Sequence, residues 1–291
     1  MPFTTPGENL LFEKLFKCNL SHYQVVQVPI NYFTNSSKNT TFTFQTKKMY
    51  MKNLLFFLMI VAVTAPSCGY MLGKRVKGNG NIKTREHTVG SFKNVEVSGA
   101  IDLYVAQGDT KPVTIETDEN LLQYIEVVQE GERIVIKSRE GYNLRPTSKI
   151  KVYVTSPVYN DIDVSGASNI TGQTKIVNKE NIKMDVSGAG DINMDVNAPA
   201  IHAEVSGAGT VNLKGETKTF DLTLTGAAKA HCYELLSENT KVEISGAGDA
   251  DVFASVKLDA EVSGAGSVTY KGGATNVAQQ VSGAGSVKKA D

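Results

Sequence analysis

Apolar and polar residues alternate along most of the chain beyond residue 88. In one representative segment, Ile182, Met184 and Val186 fall on one parity, and polar residues occupy the positions between them. Alternation with period two, rich in β-branched residues, is typical of strands that bury one face. No segment of this region keeps a helical period for long, so the pattern predicts an all-β fold.

A short motif, Val-Ser-Gly-Ala or a close variant, recurs through the same region. Its last seven copies stand 18 to 22 residues apart, and the first copy lies 67 residues before them. A propeller blade needs roughly 40–45 residues, about twice this period, so the repeats favour a solenoid in which each rung stacks on the one before. We therefore expect a single-stranded parallel β-helix (β-solenoid) with rungs of about 19 residues. The motif Ser or Thr residues are Ser98, Ser165, Ser187, Ser206, Thr225, Ser245, Ser263 and Ser282.

The glycines of the motif share the parity of the apolar residues, as Gly188 and Gly190 do with Val186. This parity predicts that they point inward. The first glycine is present in every copy, which indicates a tight corner that has no room for a Cβ or that needs a positive φ. The second position also holds Ile101, Ser168 and Ala228, so it is expected only to prefer small residues. The predicted corner glycines are Gly99, Gly166, Gly188, Gly207, Gly226, Gly246, Gly264 and Gly283.

Residues 81–164 hold a single copy of the motif. Strand-like runs and one candidate helical turn predict a broader first part of the same domain, which caps one end of the stack. At the other end, Lys288 and Lys289 would discourage edge-to-edge pairing. The runs are Ile101–Val105, Val113–Thr117, Ile134–Lys137 and Ile150–Val154, and the turn is Asp118–Tyr124.

The segment 51–68 carries an export signal. Lys52 precedes ten apolar residues, 54–63, and small residues then lead to Cys68. The run is too short to span a membrane and predicts a signal peptide over 51–67. Its end resembles a bacterial lipobox, which would make Cys68 the lipidated first residue of the mature protein; ordinary cleavage near Ser67 is the alternative. We expect an exported lipoprotein of the cell envelope, at the outer membrane.

The boundaries of the chain follow from this signal. A signal peptide belongs at the start of a chain, so residues 1–50 are interpreted as an upstream extension from a start codon assigned too early. A genuine cytoplasmic segment, with the signal acting as an internal anchor, is the alternative. Residues 68–87 are expected to be a linker, and residues 88–291 the β-solenoid head domain.

Composition excludes several classes of function. Thirty Lys+Arg balance thirty Asp+Glu, so no basic field indicates nucleic-acid binding. Without residues 1–67 the count is 24 against 28, a net charge of −4.

His87, His202 and His231 stand in no metal-binding spacing. Cys232 has no partner for an internal disulfide, which favours its interpretation as a small buried hydrophobic residue. Serial Ser-Gly-Ala-Gly copies indicate geometry rather than a catalytic serine, so we predict no enzyme, no metal and no cofactor.

An acidic residue stands two positions before the motif Ser or Thr in six of the eight copies. In a stacked solenoid these residues form an outward column with a spacing of about 4.8 Å, and like charges directly opposite destabilise a sheet. One interpretation is a weak binding face for divalent cations or a cationic ligand. The other is a solvated face relieved by a neighbouring column that includes Lys183, His202 and Lys241. The candidate face is Glu96, Asp163, Asp185, Glu204, Glu243 and Glu261.

Several segments together resemble a known family. They are Phe92–Ala100, Gln107-Gly108-Asp109, the strand Val152–Pro157 and the serial Ser-Gly-Ala-Gly copies, preceded by the signal and lipobox. As a set they resemble the putative auto-transporter adhesin, head GIN domain family, which is largely bacterial and often from Bacteroidetes. The resemblance covers about residues 88–287 and implies a β-helical head with an adhesin role. It implies no particular functional residues.

The expected function is that of a non-catalytic binding or scaffold protein of the cell envelope, with an adhesin as the specific form. Its expected partners are the membrane, through lipidated Cys68, and an unidentified surface or envelope ligand, with a homo-oligomer left open. Two alternatives stay open. A glycan-active β-helix enzyme would be favoured by carboxylates converging in one groove, and an envelope structural or stress-associated lipoprotein by envelope defects without loss of attachment.

Overall fold

The structure is a computed structural model, and it describes residues 73–290. The predicted signal peptide, Cys68 and residues 1–50 lie outside the described residues. Among the residues described, no helix has the length and apolar character needed to cross a membrane. A single 3-10 turn at Leu122–Tyr124 interrupts the strands. The strands are β1 Lys74–Lys77, β2 Ile82–His87, β3 Asn94–Gly99, β4 Ile101–Gln107, β5 Val113–Asp118, β6 Ile125–Glu130, β7 Arg133–Ser138, β8 Tyr142–Arg145, β9 Ile150–Ser156, β10 Asp161–Gly166, β11 Ile170–Gly172, β12 Ile176–Val177, β13 Ile182–Ala189, β14 Ile192–Ala208, β15 Thr210–Gly226, β16 Lys229–Cys232, β17 Leu235–Gly246, β18 Asp249–Phe253, β19 Lys257–Gly264, β20 Ser267–Lys271, β21 Asn276–Gly283 and β22 Ser286–Lys289.

The repeats stack as parallel coils with motif aligned to motif. Ser165 lies opposite Ser187, and Ser187 lies opposite Ser206, with the same register in the later rungs. The prediction of an all-β solenoid with rungs of about 19 residues is confirmed, and the stack has about seven turns. The strands that lead into the motif build a first sheet, and those that follow it build a second sheet. The first sheet contains β3, β7, β10, β13, β19, β21 and the C-terminal parts of β14, β15 and β17; the second contains β4, β9, β11, β16, β18, β20, β22 and the N-terminal parts of β14 and β15.

The core lies between the sheets as columns of aligned apolar side chains. Val186, Val205 and Leu224 stack in one such column and are almost fully buried. Parallel register places each residue on its counterpart one rung away, so a residue that is apolar in every repeat yields a continuous buried row. Among the buried polar groups, the Ser237 and Thr240 hydroxyls both hydrogen-bond to the Phe253 carbonyl, whereas the buried Thr117 hydroxyl has no hydrogen-bond partner among the described residues.

The N-terminal end of the stack changes from parallel to antiparallel pairing. β7 pairs parallel with β3 and antiparallel with β6, while β9 pairs parallel with β4 and antiparallel with β5. The strand runs expected in this region correspond to β4, β5, β7 and β9, and the expected turn contains the 3-10 turn. Phe92, Leu121 and Ile125 are buried at this end.

The prediction of a linker over residues 68–87 is wrong for its described C-terminal part. β1 pairs parallel with β8, and β2 pairs antiparallel with β5 along its full length. Both strands are rich in charged residues and half or fully exposed, so they lack the apolar alternation that marks the other strands. A charged strand at the edge of a sheet limits pairing with other chains, which explains why β2 looks like a linker in the sequence.

All eight motif glycines have positive φ, between +106° and +134°. At Gly207, a Cβ would lie closer than 3.0 Å to the carbonyl oxygen of Gly188 in the preceding rung. The same overlap holds for the later copies and for Gly166, whereas Gly99, in the first rung, would meet only Ser138 Oγ at 3.6 Å. A Cβ is thus excluded by the stacked backbone of the preceding rung.

The prediction that the motif glycines point inward is therefore wrong for the first glycine, which is exposed or half-exposed. It agrees with the structure for the second glycine. Gly190 is buried, and a Cβ there would also overlap a backbone oxygen of the preceding rung. Ile101, Ser168 and Ala228 hold the equivalent position in other copies and are buried, so the position also accepts residues larger than glycine. Ser168 occupies it by forming hydrogen bonds, because its hydroxyl accepts from Ile101 N–H and donates to the Gly99 carbonyl, both at 2.9 Å.

Candidate functional site

The predicted acidic residues form one column on the outer side of the first sheet, which we call the acidic column. Glu96 lies opposite Asp163, Asp163 opposite Asp185, and Asp185 opposite Glu204. Thr223 interrupts the column, which resumes with Glu243 opposite Glu261. The stacking expected from the repeat is therefore observed.

Basic side chains from the adjacent column lie beside three of these carboxylates. Lys183 forms an ion pair with Asp185, and Lys241 Nζ lies 2.6 Å from Glu243 Oε1. His202 Nε2 lies 3.9 Å from Glu204. Hydrogen bonds to these carboxylates raise the pKa of Lys183 and of Lys241. The three residues expected to relieve the column are the ones that lie beside it.

The N-terminal end of the acidic column is held by Arg133, a residue that sequence reasoning missed. Its guanidinium lies 2.8 Å from Asp163, 2.7 Å from Asp161 and 3.4 Å from Glu96. The hydrogen bond that Arg133 donates to Asp163 is the main cause of its raised pKa, against the opposing effect of burial. Arg133 belongs to β7, which carries no motif, so the repeat does not predict its position. The parallel pairing of β7 with β3 places Arg133 beside the acidic column.

The acidic column can provide oxygen ligands, but five of its six carboxylates already lie beside a basic side chain, and only Glu261 has none among the described residues. Donor atoms of Asp161, Asp163 and Asp185 lie within 4.8 Å of one another, as do those of Asp185, His202 and Glu204. The Arg133 guanidinium occupies the space between the first two carboxylates, and Lys183 neutralises the third. This geometry favours the interpretation as a solvated, charge-balanced face.

The second sheet carries a row of polar and aromatic side chains along the whole stack, which we call the polar ladder. Each member stands six residues after a motif Ser or Thr, except for Tyr153 at its N-terminal end. This constant offset is the signal that could have revealed the row in the sequence. In register order the polar ladder is Tyr153, Tyr104, Thr171, Asn193, Asn212, His231, Asp251, Thr269 and Lys288.

The polar ladder contains two distinct groups of side chains. At one end the rings of Tyr104 and Tyr153 stack with centroids 4.9 Å apart and planes inclined by 22°. Near its centre, His231 Nδ1 lies 3.0 Å from Asp251 Oδ2. A cavity of about 350 Å³ lies at this point, lined by Asn193, Asn212, His231, Asp251 and the ring of Tyr233 among others.

Among the described residues, no serine or cysteine side chain hydrogen-bonds to the His231–Asp251 pair, while burial and the neighbouring Asp251 raise the pKa of the Tyr233 hydroxyl. The neighbouring Cys232 points into the core, and burial raises the pKa of its thiol to about 12. The motif serine Ser98 hydrogen-bonds to the motif serine Ser165 at 3.0 Å rather than to a base. The arrangement can bind polar groups by hydrogen bonding but assembles no activated hydroxyl or thiol.

The fold and the two surfaces define a class of protein, a parallel β-solenoid whose outer faces present the same column of side chains in rung after rung. The chain belongs to the family described as putative auto-transporter adhesin, head GIN domain, whose model matches residues 91–274. The resemblance drawn from the sequence is therefore confirmed. Comparison with curated proteins finds no match.

Solved structures share this fold. A putative adhesin from Bacteroides fragilis has 21% sequence identity and a TM-score of 0.69, covering 74% of this chain and 100% of its own. A putative lipid binding protein from Parabacteroides distasonis has 22% identity and a TM-score of 0.59, covering 75% and 100%. A putative adhesin from Parabacteroides merdae has 22% identity and a TM-score of 0.58, with the same coverage.

Proposed function

We propose that this chain is an exported, lipid-anchored binding protein of the bacterial cell envelope, an adhesin in type, and that its head performs no catalysis. The observation that carries the proposal is the polar ladder, a continuous recognition row built on a rigid parallel sheet. Family membership supports the adhesin role. The signal peptide pattern and Cys68 support export and lipid anchoring.

The polar ladder suits an extended polar polymer, such as a glycan chain. Its members repeat at about 4.8 Å, so a long ligand that lies along the solenoid axis meets a new donor or acceptor at every rung. The amides of Asn193 and Asn212 offer both donors and acceptors, and the stacked tyrosines offer a flat apolar surface. The acidic column, with five of its six carboxylates beside a basic side chain, is assigned to solubility.

A binding screen tests this function. The described residues 73–290 contain one continuous hydrophobic core, so a chain of residues 69–291 is suitable. It is screened against glycans, matrix proteins and envelope components, with and without Ca²⁺. We expect saturable binding that is lost in the double variant Asn212→Ala/His231→Ala and retained in Glu243→Gln/Glu261→Gln, the matched control on the other sheet.

Three outcomes would overturn this assignment. Loss of binding only in the acidic-column variant would move the site to the first sheet. Release of shortened glycan products would show an enzyme. Absence of binding throughout the screen would favour a structural envelope role.

Lipid anchoring is tested separately in cells. We expect the full chain to incorporate a labelled fatty acid and to sediment with membranes, and Cys68→Ala to lose both properties. A Cys68→Ala variant that still sediments with membranes after a high-salt wash would refute anchoring through this residue.

A further inference from the structure

The last rung that the structure describes has one strand edge without a partner among residues 73–290, and that edge carries no charge. β21 pairs with β19 on one side, and no strand among residues 73–290 pairs with its other side. Its sequence is Asn-Val-Ala-Gln-Gln-Val-Ser-Gly, without a single charge. The equivalent strand one rung earlier, β19, carries Lys257, Asp259 and Glu261. Proteins commonly protect free edges with charge, and a long uncharged edge is a template for pairing with another strand.

The same edge exposes residues of the core columns. Leu258 and Val262 of β19 are fully buried, whereas Val277 and Val281, their counterparts in β21, are 37% and 41% exposed. In every earlier rung the next rung covers these positions. Covering the two valines in each copy would therefore bury apolar surface and would pair the free backbone N–H and C=O groups of β21.

The sequence of β21 is complementary to itself in the antiparallel direction. If two copies pair about Gln279, Val277 faces Val281 of the second copy, and each Gln279 faces its own counterpart. On the outer face, Ala278 would then lie opposite Gln280 of the second copy. Valine meets valine, amide meets amide, and no like charges meet, which is the property that a twofold interface requires.

We infer that β21 pairs antiparallel with β21 of a second copy, so that two solenoids join through their last rungs as a twofold dimer. Lys288 and Lys289 are expected to discourage edge-to-edge pairing. Both lie in β22, so they limit contact between the two copies at that strand and not at β21. At the N-terminal end, β2 and β6 are charged edges, so the assembly closes at two copies rather than growing into a fibre. This inference does not depend on the ligand of the polar ladder.

Sedimentation of residues 69–291 over about 1 µM to 1 mM tests the dimer. We expect a monomer–dimer equilibrium. Gln279→Lys would place two lysines opposite each other on the twofold axis and remove the dimer across this range. The matched control, Gln280→Lys, adds the same charge one residue away, opposite Ala278, and retains the dimer. Unchanged circular dichroism would show that both variants fold.

Disulfide trapping tests the register of the pairing independently. Directly opposite residues in antiparallel strands lie about 4.5–5.5 Å apart between Cα atoms, which a disulfide can bridge. Gln279→Cys should therefore form a covalent dimer on mild oxidation, and Gln280→Cys should not. The buried Cys232 does not compete. A wild-type chain that stays monomeric over the whole range, or equal cross-linking by both cysteine variants, would overturn the inference, as would pairing of β21 only with a strand from a different protein.

Discussion

Replacing Gly207 by alanine tests most directly how the rungs are held at their stacking distance. Gly207 has a φ of +134°, a region that side chains with a Cβ rarely adopt. An added Cβ would also lie 2.9 Å from the carbonyl carbon of Gly188 and closer still to its oxygen. Both atoms are backbone, so neither can rotate away. The two rungs must separate locally, or the corner must change its conformation.

The expected cost follows from these two effects. Backbone strain of this kind costs about 1–3 kcal/mol. Separating the rungs weakens inter-rung hydrogen bonds at the corner, such as Ala227 N–H to Gly207 O at 2.9 Å, each contributing about 0.5–1.5 kcal/mol. Together they give a loss of about 3–5 kcal/mol, in the upper range for one substitution. For a domain of this size, the Tm should fall by about 6–20 °C.

Two control variants separate the cost of backbone strain from the cost of overlap between the added Cβ and the preceding rung. The measurement is thermal unfolding followed by far-UV circular dichroism. Gly131 has a φ of +62° with no atom within 4 Å of an added Cβ, so Gly131→Ala reports strain alone and should cost about 1–2 kcal/mol. Gly209 lacks positive φ but would overlap the Gly190 oxygen, so Gly209→Ala reports overlap alone. A Gly207→Ala variant no less stable than Gly131→Ala would refute the stacking argument.

Four further outcomes are expected. Arg133→Met leaves three neighbouring carboxylates without their counter-ion and should lower the free energy of unfolding by about 1–2 kcal/mol at pH 7; in pH-dependent melts the difference should shrink below about pH 4, where carboxylates protonate. Burial raises the pKa of Asp118, but hydrogen bonds from Thr147 and Gly80 lower it below its ordinary value. Its contribution is therefore present above the ordinary pKa and lost as pH falls through the lowered one, so Asp118→Asn should destabilise by about 1–3 kcal/mol at pH 7 and progressively less in acid melts. The thiol of Cys232, with its pKa raised to about 12, should resist a thiol reagent at pH 8 until guanidinium unfolds the chain; rapid native labelling would contradict its burial. Millimolar Ca²⁺ should leave the Tm unchanged because five of the six carboxylates of the acidic column already lie beside a basic side chain, and a clear rise would show cation binding.

The repeat made the central part of the fold predictable from sequence. In parallel stacking each residue meets its counterpart one period away, so the spacing of the motif serines determines the register of the first sheet. The acidic column and its partners Lys183 and Lys241 follow from that register alone. The polar ladder could be predicted in the same way, because each member except Tyr153 stands six residues after a motif Ser or Thr.

Features that depend on non-repetitive contacts could not be predicted in this way. Arg133 reaches the acidic column because β7 joins the first sheet beside β3, and no periodic signal marks that pairing. The charged edge strand β2 lacks the apolar alternation by which strands are recognised. At Gly207, the positive φ turns the position that a Cβ would take toward the preceding rung. The alternation of residues predicts side-chain directions only for extended backbone, so it could not predict this direction.

The polarity of the solenoid links the proposed anchor to the proposed dimer. β1 lies beside β8, which follows β7 at the first rung, whereas β21 lies in the last rung. About seven turns at about 4.8 Å each separate the two ends by roughly 35 Å. A chain anchored through Cys68, only five residues before Gly73, would hold its first rung near the membrane and direct β21 away from it. Pairing through β21 then places the two anchors at opposite ends of the dimer, an arrangement suited to joining heads from facing membranes rather than neighbours on one surface.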